Sequence, residues 1–240
     1  MDTDYGEYIK QIKDEESEEI GALRAPLKQK LADEIDYVQS AGGPELSNFI
    51  EMIRHKYMID NVINIIESSK NGTDKNTTKS RIEPLGYLPE IDGLLNIEAK
   101  KIDELYEDVL IDTEVGHYFS KFLEEVISNS DVKTVSVVNS YLQELKPEKI
   151  KNYLKKIWFE HFYHYCQTLN PTTREMMTDL LKFEADCQAI QIVYNSLAEF
   201  NQYQEEERKR VIPYFGNLYP EITSQIVKAS TLEMLKDALL

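Results

Sequence analysis

Between Gly116 and Gly216 the chain contains no glycine and only Pro147, Pro171 and Pro213. A sheet of many short strands needs frequent tight turns, and glycine supplies the positive φ that most of them demand. A run this long without it predicts long helices joined by few connections. The prolines agree. Pro147 stands before Glu148 where a helix can open, and Asn170-Pro171 offers an N-cap followed by proline at the first helical position.

Apolar spacing extends the pattern. Leu46, Phe49, Ile50, Ile53 and Tyr57 recur every three or four residues, with Met58, Val62, Ile65 and Ile66 on a neighbouring stripe. Ile102 to Leu110 and Tyr118 to Ile127 read as two shorter amphipathic helices. Ile150 to Tyr165 gives a broad apolar face, and Met176, Met177, Leu180, Leu181, Ala185, Ala189, Ile192 and Val193 give the next. Ser230 with Glu233 reads as a capping box opening a last helix over Leu232–Leu239. Val135, Val137 and Val138 are β-prone, but Tyr141, Leu142 and Leu145 continue them at helical spacing. The expected architecture is all-α, a multi-lobed helical bundle of nine or ten helices.

Pattern breaks fall at 70–80, 84–93 and 213–220. The first reads as a polar, flexible loop without an apolar anchor. The other two mix Pro and Gly with aromatics and read as ordered loops packed on the body. The run Glu205 to Arg210 sets acids before bases, as suits a solvated helix with i,i+3 and i,i+4 pairs.

Charge narrows the partners. With 27 Lys+Arg against 43 Asp+Glu in 240 residues, the net charge is −16. Phosphate binding needs a basic surface, so nucleic acid and anionic lipid are disfavoured as the main partner. Two cysteines, Cys166 and Cys187, cannot build a disulfide framework and fit a reducing compartment. No signal peptide and no membrane span of ~18–20 apolar residues is expected.

The search for chemistry returns little. Neither glycine-rich nucleotide loop is present, nor G-x-S-x-G, H-E-x-x-H or an EF-hand loop. His161 and His164 form an H-x-x-H, which a metal can use only with further ligands; their aromatic neighbours read as a packing face. Glu184 and Asp186 stand in an otherwise apolar helix. Two residues apart, they point about 200° apart and cannot converge on one substrate. One or both read instead as acceptors that dock a neighbouring helix or loop. Cys187 reads as a small packing residue.

Several short strings then occur in a fixed order: Thr3-Asp4-Tyr5-Gly6, Tyr57-Met58-Ile59-Asp60-Asn61-Val62, Pro84-Leu85-Gly86, Leu105-Tyr106, Val109-Leu110-Ile111-Asp112-Thr113, Phe183-Glu184-Ala185-Asp186, Asn195-Ser196 and Gly216-Asn217-Leu218-Tyr219-Pro220. In this order the chain resembles subunit d of the V-type proton-pumping ATPases, from roughly Asp2 to Leu239. The resemblance implies one helical domain over 1–240, funnel-like with approximate threefold internal symmetry. It implies a non-catalytic connector in the V0 sector, without cofactor, metal or active site. Its partners would be central-stalk subunits D and F and the proteolipid c-ring. Its place would be the cytoplasmic face of a vacuolar or other endomembrane, or the cytosol when unassembled.

The site residues that the resemblance marks are Asp4, Tyr5, Gly6, Tyr57, Asp60, Asn61, Pro84, Leu85, Gly86, Asp112, Thr113, Phe183, Glu184, Asp186, Asn195, Leu218, Tyr219 and Pro220. Asp60 and Asn61 are expected to satisfy neighbouring backbone groups, and Gly86 and Gly216 to permit left-handed turns. Asp112 and Thr113 are expected to cap a helix beginning near Glu114. The chain also departs from the family. Cys187 and Gln188 stand where two arginines usually follow F-E-A-D, residues 128–145 differ, and the family's leading and C-terminal segments are absent, so one lobe is expected to be incomplete. A shortened paralogue serving as a helical adaptor in pump assembly or regulation is the alternative reading. An enzyme built on His161/His164 or Glu184/Asp186 is a more distant one.

Overall fold

The computed structural model describes residues 4–10, 20–87, 89–95, 113–127, 147–197 and 203–240, and all regular structure among them is helical. In chain order the helices are α1 (Gly6–Ile9), α2 (Ile20–Ala41), α3 (Pro44–Lys70), α4 (Lys75–Ser80), a 3₁₀ turn (Pro84–Gly86), α5 (Glu90–Leu94), α6 (Gly116–Ile127), α7 (Pro147–Gln167), α8 (Pro171–Ser196), α9 (Glu205–Val211), α10 (Glu221–Ile226) and α11 (Leu232–Leu239). The chain divides into two compact units, residues 1–123 with 127–151, and residues 124–126 with 152–240. The helix expected over 102–110 and the segment 128–145 lie outside the described residues, as does Asp112.

In the first unit α3 is the spine. Met58, Ile59, Val62, Ile63, Ile65 and Ile66 are all buried, each contributing about 1.5–3 kcal/mol of transfer free energy. The stripe expected from Leu46 to Tyr57 is only its edge, for Leu46 and Ile53 are exposed and Ile50 is buried. Helix α2 buries almost none of its apolar residues: Leu27, Leu31 and Val38 are exposed, and only its Ala32 is a buried apolar residue among those described. Polar contacts dock it on α3 instead. Arg54 Nη1 donates to Asp36 (2.5 Å) and Gln39 (3.0 Å), and Gln39 Nε2 donates to Glu51 (2.8 Å).

The 70–80 stretch is a correction. Asp74 N-caps α4 by accepting from the backbone N–H of Asn76 and Thr77, both at 3.0 Å, and Thr78 is buried. A short polar side chain at a cap orders a segment that carries no apolar signal. Helix α6 buries Tyr118, Phe119 and Phe122. Its start, Gly116, lies two residues past the expected position, with Thr113 in the turn before it accepting from Gly116 N at 2.9 Å.

In the second unit, α7 buries Leu154, Ile157, Trp158 and Phe162. Asn170 caps α8 by accepting from Thr173 N at 3.0 Å, with Pro171 at the first helical position as expected. Leu181, Ala185, Ala189 and Val193 of α8 are buried, and the last two join Ile212, Ile226, Val227, Ala229 and Leu235 in one cluster. Met176 and Leu180, expected on the same face, are exposed. Cys187 is exposed rather than packed, whereas Cys166 is buried.

The last helix spans the expected residues, but Thr231 rather than Ser230 is its cap, accepting from Met234 N at 3.2 Å. Ser230 Oγ turns to Met234 Sδ instead. Helix α9 has the expected pairs, Lys209 to Glu205 at 2.7 Å and to Glu206 at 2.8 Å, yet its Arg208 is buried. The reason is a helix end: Arg208 Nη1 donates to the carbonyls of Val227 (3.1 Å) and Ala229 (2.5 Å) just past α10, supplying donors that the last turn lacks. No helix among the described residues is long and apolar enough to cross a membrane.

Candidate functional site

Two of the ordered strings meet in the first unit. Asn61 sits mid-α3 with no exposed surface. Its Oδ1 accepts from Glu83 N at 2.7 Å and its Nδ2 donates to Glu83 O at 2.9 Å, so one side chain satisfies both backbone groups of one residue. Glu83 leads into the Pro84–Gly86 turn, whose Leu85 carbonyl accepts from Arg54 Nε at 3.1 Å. Glu83 also pairs with Lys28 of α2.

Gly86 lies against α3 so closely that a Cβ there would overlap the backbone of Tyr57 and Met58. Its φ is not positive, which corrects the expected left-handed turn. Glycine is required here for close approach of backbone to backbone. Leu85 is buried, Pro84 and Tyr57 are half-buried, and Asp60 sits half-buried beside the clamp.

Two more strings meet in the second unit. Asp186 Oδ2 accepts from both the backbone N and Nδ2 of Asn217, each at 3.1 Å, and its Oδ1 accepts from Leu218 N at 2.9 Å. This is the loop-docking role expected for the carboxylate pair, taken by Asp186 alone. Glu184 accepts from Gln188 Nε2, at 3.2 Å on its own helix. Gly216 has φ +139°, and a Cβ there would overlap the Asp186 carboxylate. Here the left-handed requirement holds.

The same loop is tied to α7. Glu160 Oε1 accepts from Tyr214 N at 2.8 Å, and Phe215 stacks on Tyr163 with ring centroids 4.2 Å apart and lies 5.0 Å from Phe159. Buried Lys156 pairs with Glu160 at 3.3 Å and stands 3.8 Å from the centre of the Tyr214 ring. Sequence reading did not mark Arg54, Lys156 or Glu160, whose only signal is a charged residue among apolar neighbours, and it read Arg208 as part of a solvated charged run.

The remaining marked residues are dispersed. Asp4 and Tyr5 are exposed at the start of α1, with Gly6 buried beside them. Phe183 and Asn195 are exposed on α8, and Tyr219 and Pro220 are exposed at the end of the docked loop. A cleft of about 350 Å³ lies there, lined by Ile212, Tyr214, Tyr219, Pro220, Thr223 and Val227 with Lys209 and Lys228 among its walls; it holds no carboxylate, imidazole or thiol.

His164 is exposed and packs edge-on against Tyr163 at 5.8 Å, and no group of three His, Cys, Asp or Glu able to hold a metal occurs among the described residues. His55 Nδ1 and Tyr118 Oη share a buried hydrogen bond of 2.8 Å, and burial pushes the Tyr118 phenol well above its ordinary range. Burial also pushes the Cys166 thiol up to about 11 and pulls the Arg208 guanidinium down. These shifts accompany packing. Of the marked residues, Asn61, Gly86, Asp186 and Leu218 take part in fixing turns to helices.

A family profile described as ATP synthase (C/AC39) subunit matches residues 1–240. The V-type proton ATPase subunit d of Neurospora crassa is 33% identical over 233 residues, covering 95% of this chain and 58% of the relative. Subunit d2 of Arabidopsis thaliana is 35% identical over 191 residues, covering 80% and 49%. Subunit d of Saccharomyces cerevisiae is 29% identical over 238 residues, covering 99% and 64%. The chain thus spans about half to two thirds of the length of these relatives.

Proposed function

Because the chain belongs to the ATP synthase (C/AC39) subunit family, we propose that it is a non-catalytic connector of a V-type proton-pumping ATPase. In this reading it couples the rotating central stalk, subunits D and F, to the proteolipid c-ring. It works as a peripheral subunit on the cytoplasmic face of the membrane, and needs no cofactor or active site of its own.

The observation that carries the reading is the use made of the family strings. Asn61 with Pro84-Leu85-Gly86, and Asp186 with Gly216-Asn217-Leu218, both pin a turn to a long helix by hydrogen bonds to its backbone. An enzyme concentrates its polar signature around a cavity where a substrate can react. A torque-transmitting part must instead resist relative movement of its elements, and directional hydrogen bonds in a packed interior supply that resistance.

The test is recovery of partners. The chain, tagged at its own length, is captured from gently solubilised membranes and the co-purifying subunits are quantified by mass spectrometry. Proteolipid and central-stalk subunits in fixed ratio are expected. A soluble chain that brings neither overturns the connector role and leaves the adaptor reading.

A further inference from the structure

Helix α8 carries a second apolar stripe on the side away from its core. Met176, Leu180, Phe183, Cys187 and Tyr194 are all exposed, the four large ones by 68, 56, 65 and 56%, while Ile190, at the edge of the row, is half-buried against the core cluster. Their spacing alternates four and three residues from 176 to 194. At about 100° per residue all six lie within an arc of about 80°, opposite Leu181, Ala185, Ala189 and Val193. Alternating fours and threes are the spacing of a coiled-coil seam. Scattered exposed apolar side chains are ordinary, but a contiguous row about 27 Å long is an interaction surface.

The flanks of the row specify the occupant. Glu175 and Asp179 border it on one side and Glu184 on the other; Asp186, on the first side, is taken up by the 213–220 loop, and Lys182 lies further round toward the core. In a parallel or an antiparallel helix pair, the positions beside the seam face each other across the interface. A second copy of α8 would therefore set acid against acid in either orientation, and like charges in register oppose pairing. A helix with basic residues beside its own apolar seam meets both features.

We propose that the outer face of α8 docks one amphipathic helix of a partner, with Lys or Arg flanking its apolar seam. The assignment goes beyond the connector reading and does not depend on it, because the seam and its flanks are properties of α8 alone.

The two cysteines make the test direct. Cys187 lies in the seam and is exposed, whereas Cys166 is buried, so a thiol reagent reports on Cys187 in the native chain. The probes are two synthetic helices of about five turns with Leu along the seam, one flanked by Lys and the other by Glu. The Lys-flanked helix is expected to slow Cys187 alkylation about tenfold or more at low salt, and much less at about 1 M salt, where the screening length is about 3 Å.

Phe183→Ser and Leu180→Ser should abolish this protection and leave thermal melting unchanged, since both side chains face solvent. The proposal is overturned if the Lys-flanked helix gives no protection, or if the Glu-flanked helix protects equally. It is overturned too if protection without peptide rises with chain concentration, which identifies a second copy. A Cys187 already shielded in the dilute chain alone overturns it in favour of a segment of the chain itself.

Discussion

Asn61→Ala is the sharpest test of how the first unit is held. The substitution removes the acceptor of Glu83 N–H and the donor to Glu83 C=O in one step, at a side chain with no exposed surface. A buried peptide group left without its partner costs about 1–3 kcal/mol. Two such groups bracket the loss at about 2–6 kcal/mol. Glu83 is only half-buried, so water recovers part of this, and about 2–4 kcal/mol is the expected result. In a chain of this size that corresponds to a fall in Tm of about 4–8 °C.

Thermal melting gives the magnitude, and hydrogen exchange of the peptide covering 82–87 gives the location. Asn61→Asp separates a hydrogen-bond clamp from simple filling of space. The shape is kept, but a carboxylate oxygen now faces the Glu83 carbonyl, so Asp should be no better than Ala. A loss under about 1 kcal/mol for Asn61→Ala, unchanged exchange over 82–87, or an Asp variant as stable as the original would refute the clamp.

Asp186→Ala should free the 213–220 loop: exchange at Asn217 and Leu218 accelerates, and stability falls by about 1–3 kcal/mol, at the low end because Asn217 is exposed and water can replace the carboxylate; unchanged exchange there counts against the docking role. Cys166 gives a pH prediction. Burial raises its thiol from 9.0 to about 11, so between these values the folded state holds the proton that the unfolded chain has released. Its stability contribution is therefore complete below about pH 9 and is lost as pH rises toward 11. Cys166→Ala should remove that part of the alkaline destabilisation, and an identical pH–stability profile in the variant would show that the thiol is not buried as described.

The sequence made the helical class legible because its signal is long-range and redundant. A glycine-free run, prolines at helix starts and apolar stripes all require the same thing, and α6, α7, α8 and α11 appear where they were expected. What was not legible is whatever rests on polar docking. Helix α2 has Leu27, Leu31 and Val38 at helical spacing but leaves them exposed, and polar contacts from Arg54 and Gln39 dock it instead. Helix α4 hangs on one aspartate at its cap. Met176 and Leu180 are chemically indistinguishable from core residues, and only the position of the neighbouring helices assigns them to the outside. The loop-docking role of Asp186 was readable because a carboxylate in an apolar stretch must have partners. The burial of Arg208 was not, because its run of acids followed by bases is also the pattern of a solvated face.

The family strings are easier to understand as pairs than as separate motifs. Each pair joins a polar side chain on a long helix to a turn that contains glycine. The hook and the glycine need each other. Asn61 reaches both groups of Glu83 at 2.7 and 2.9 Å only if the turn lies against α3, and a Cβ at residue 86 would prevent that by overlapping Tyr57 and Met58. Asp186 bonds Asn217 and Leu218 only if residue 216 turns at φ +139° over its carboxylate, where a Cβ would again collide. An apolar contact in either place would bury the turn but leave it free to slide, because the hydrophobic effect has no direction. Hydrogen bonds to the turn backbone fix orientation as well as depth. Strings far apart in sequence thus act together here, because neither the hook nor the glycine turn holds its position without the other.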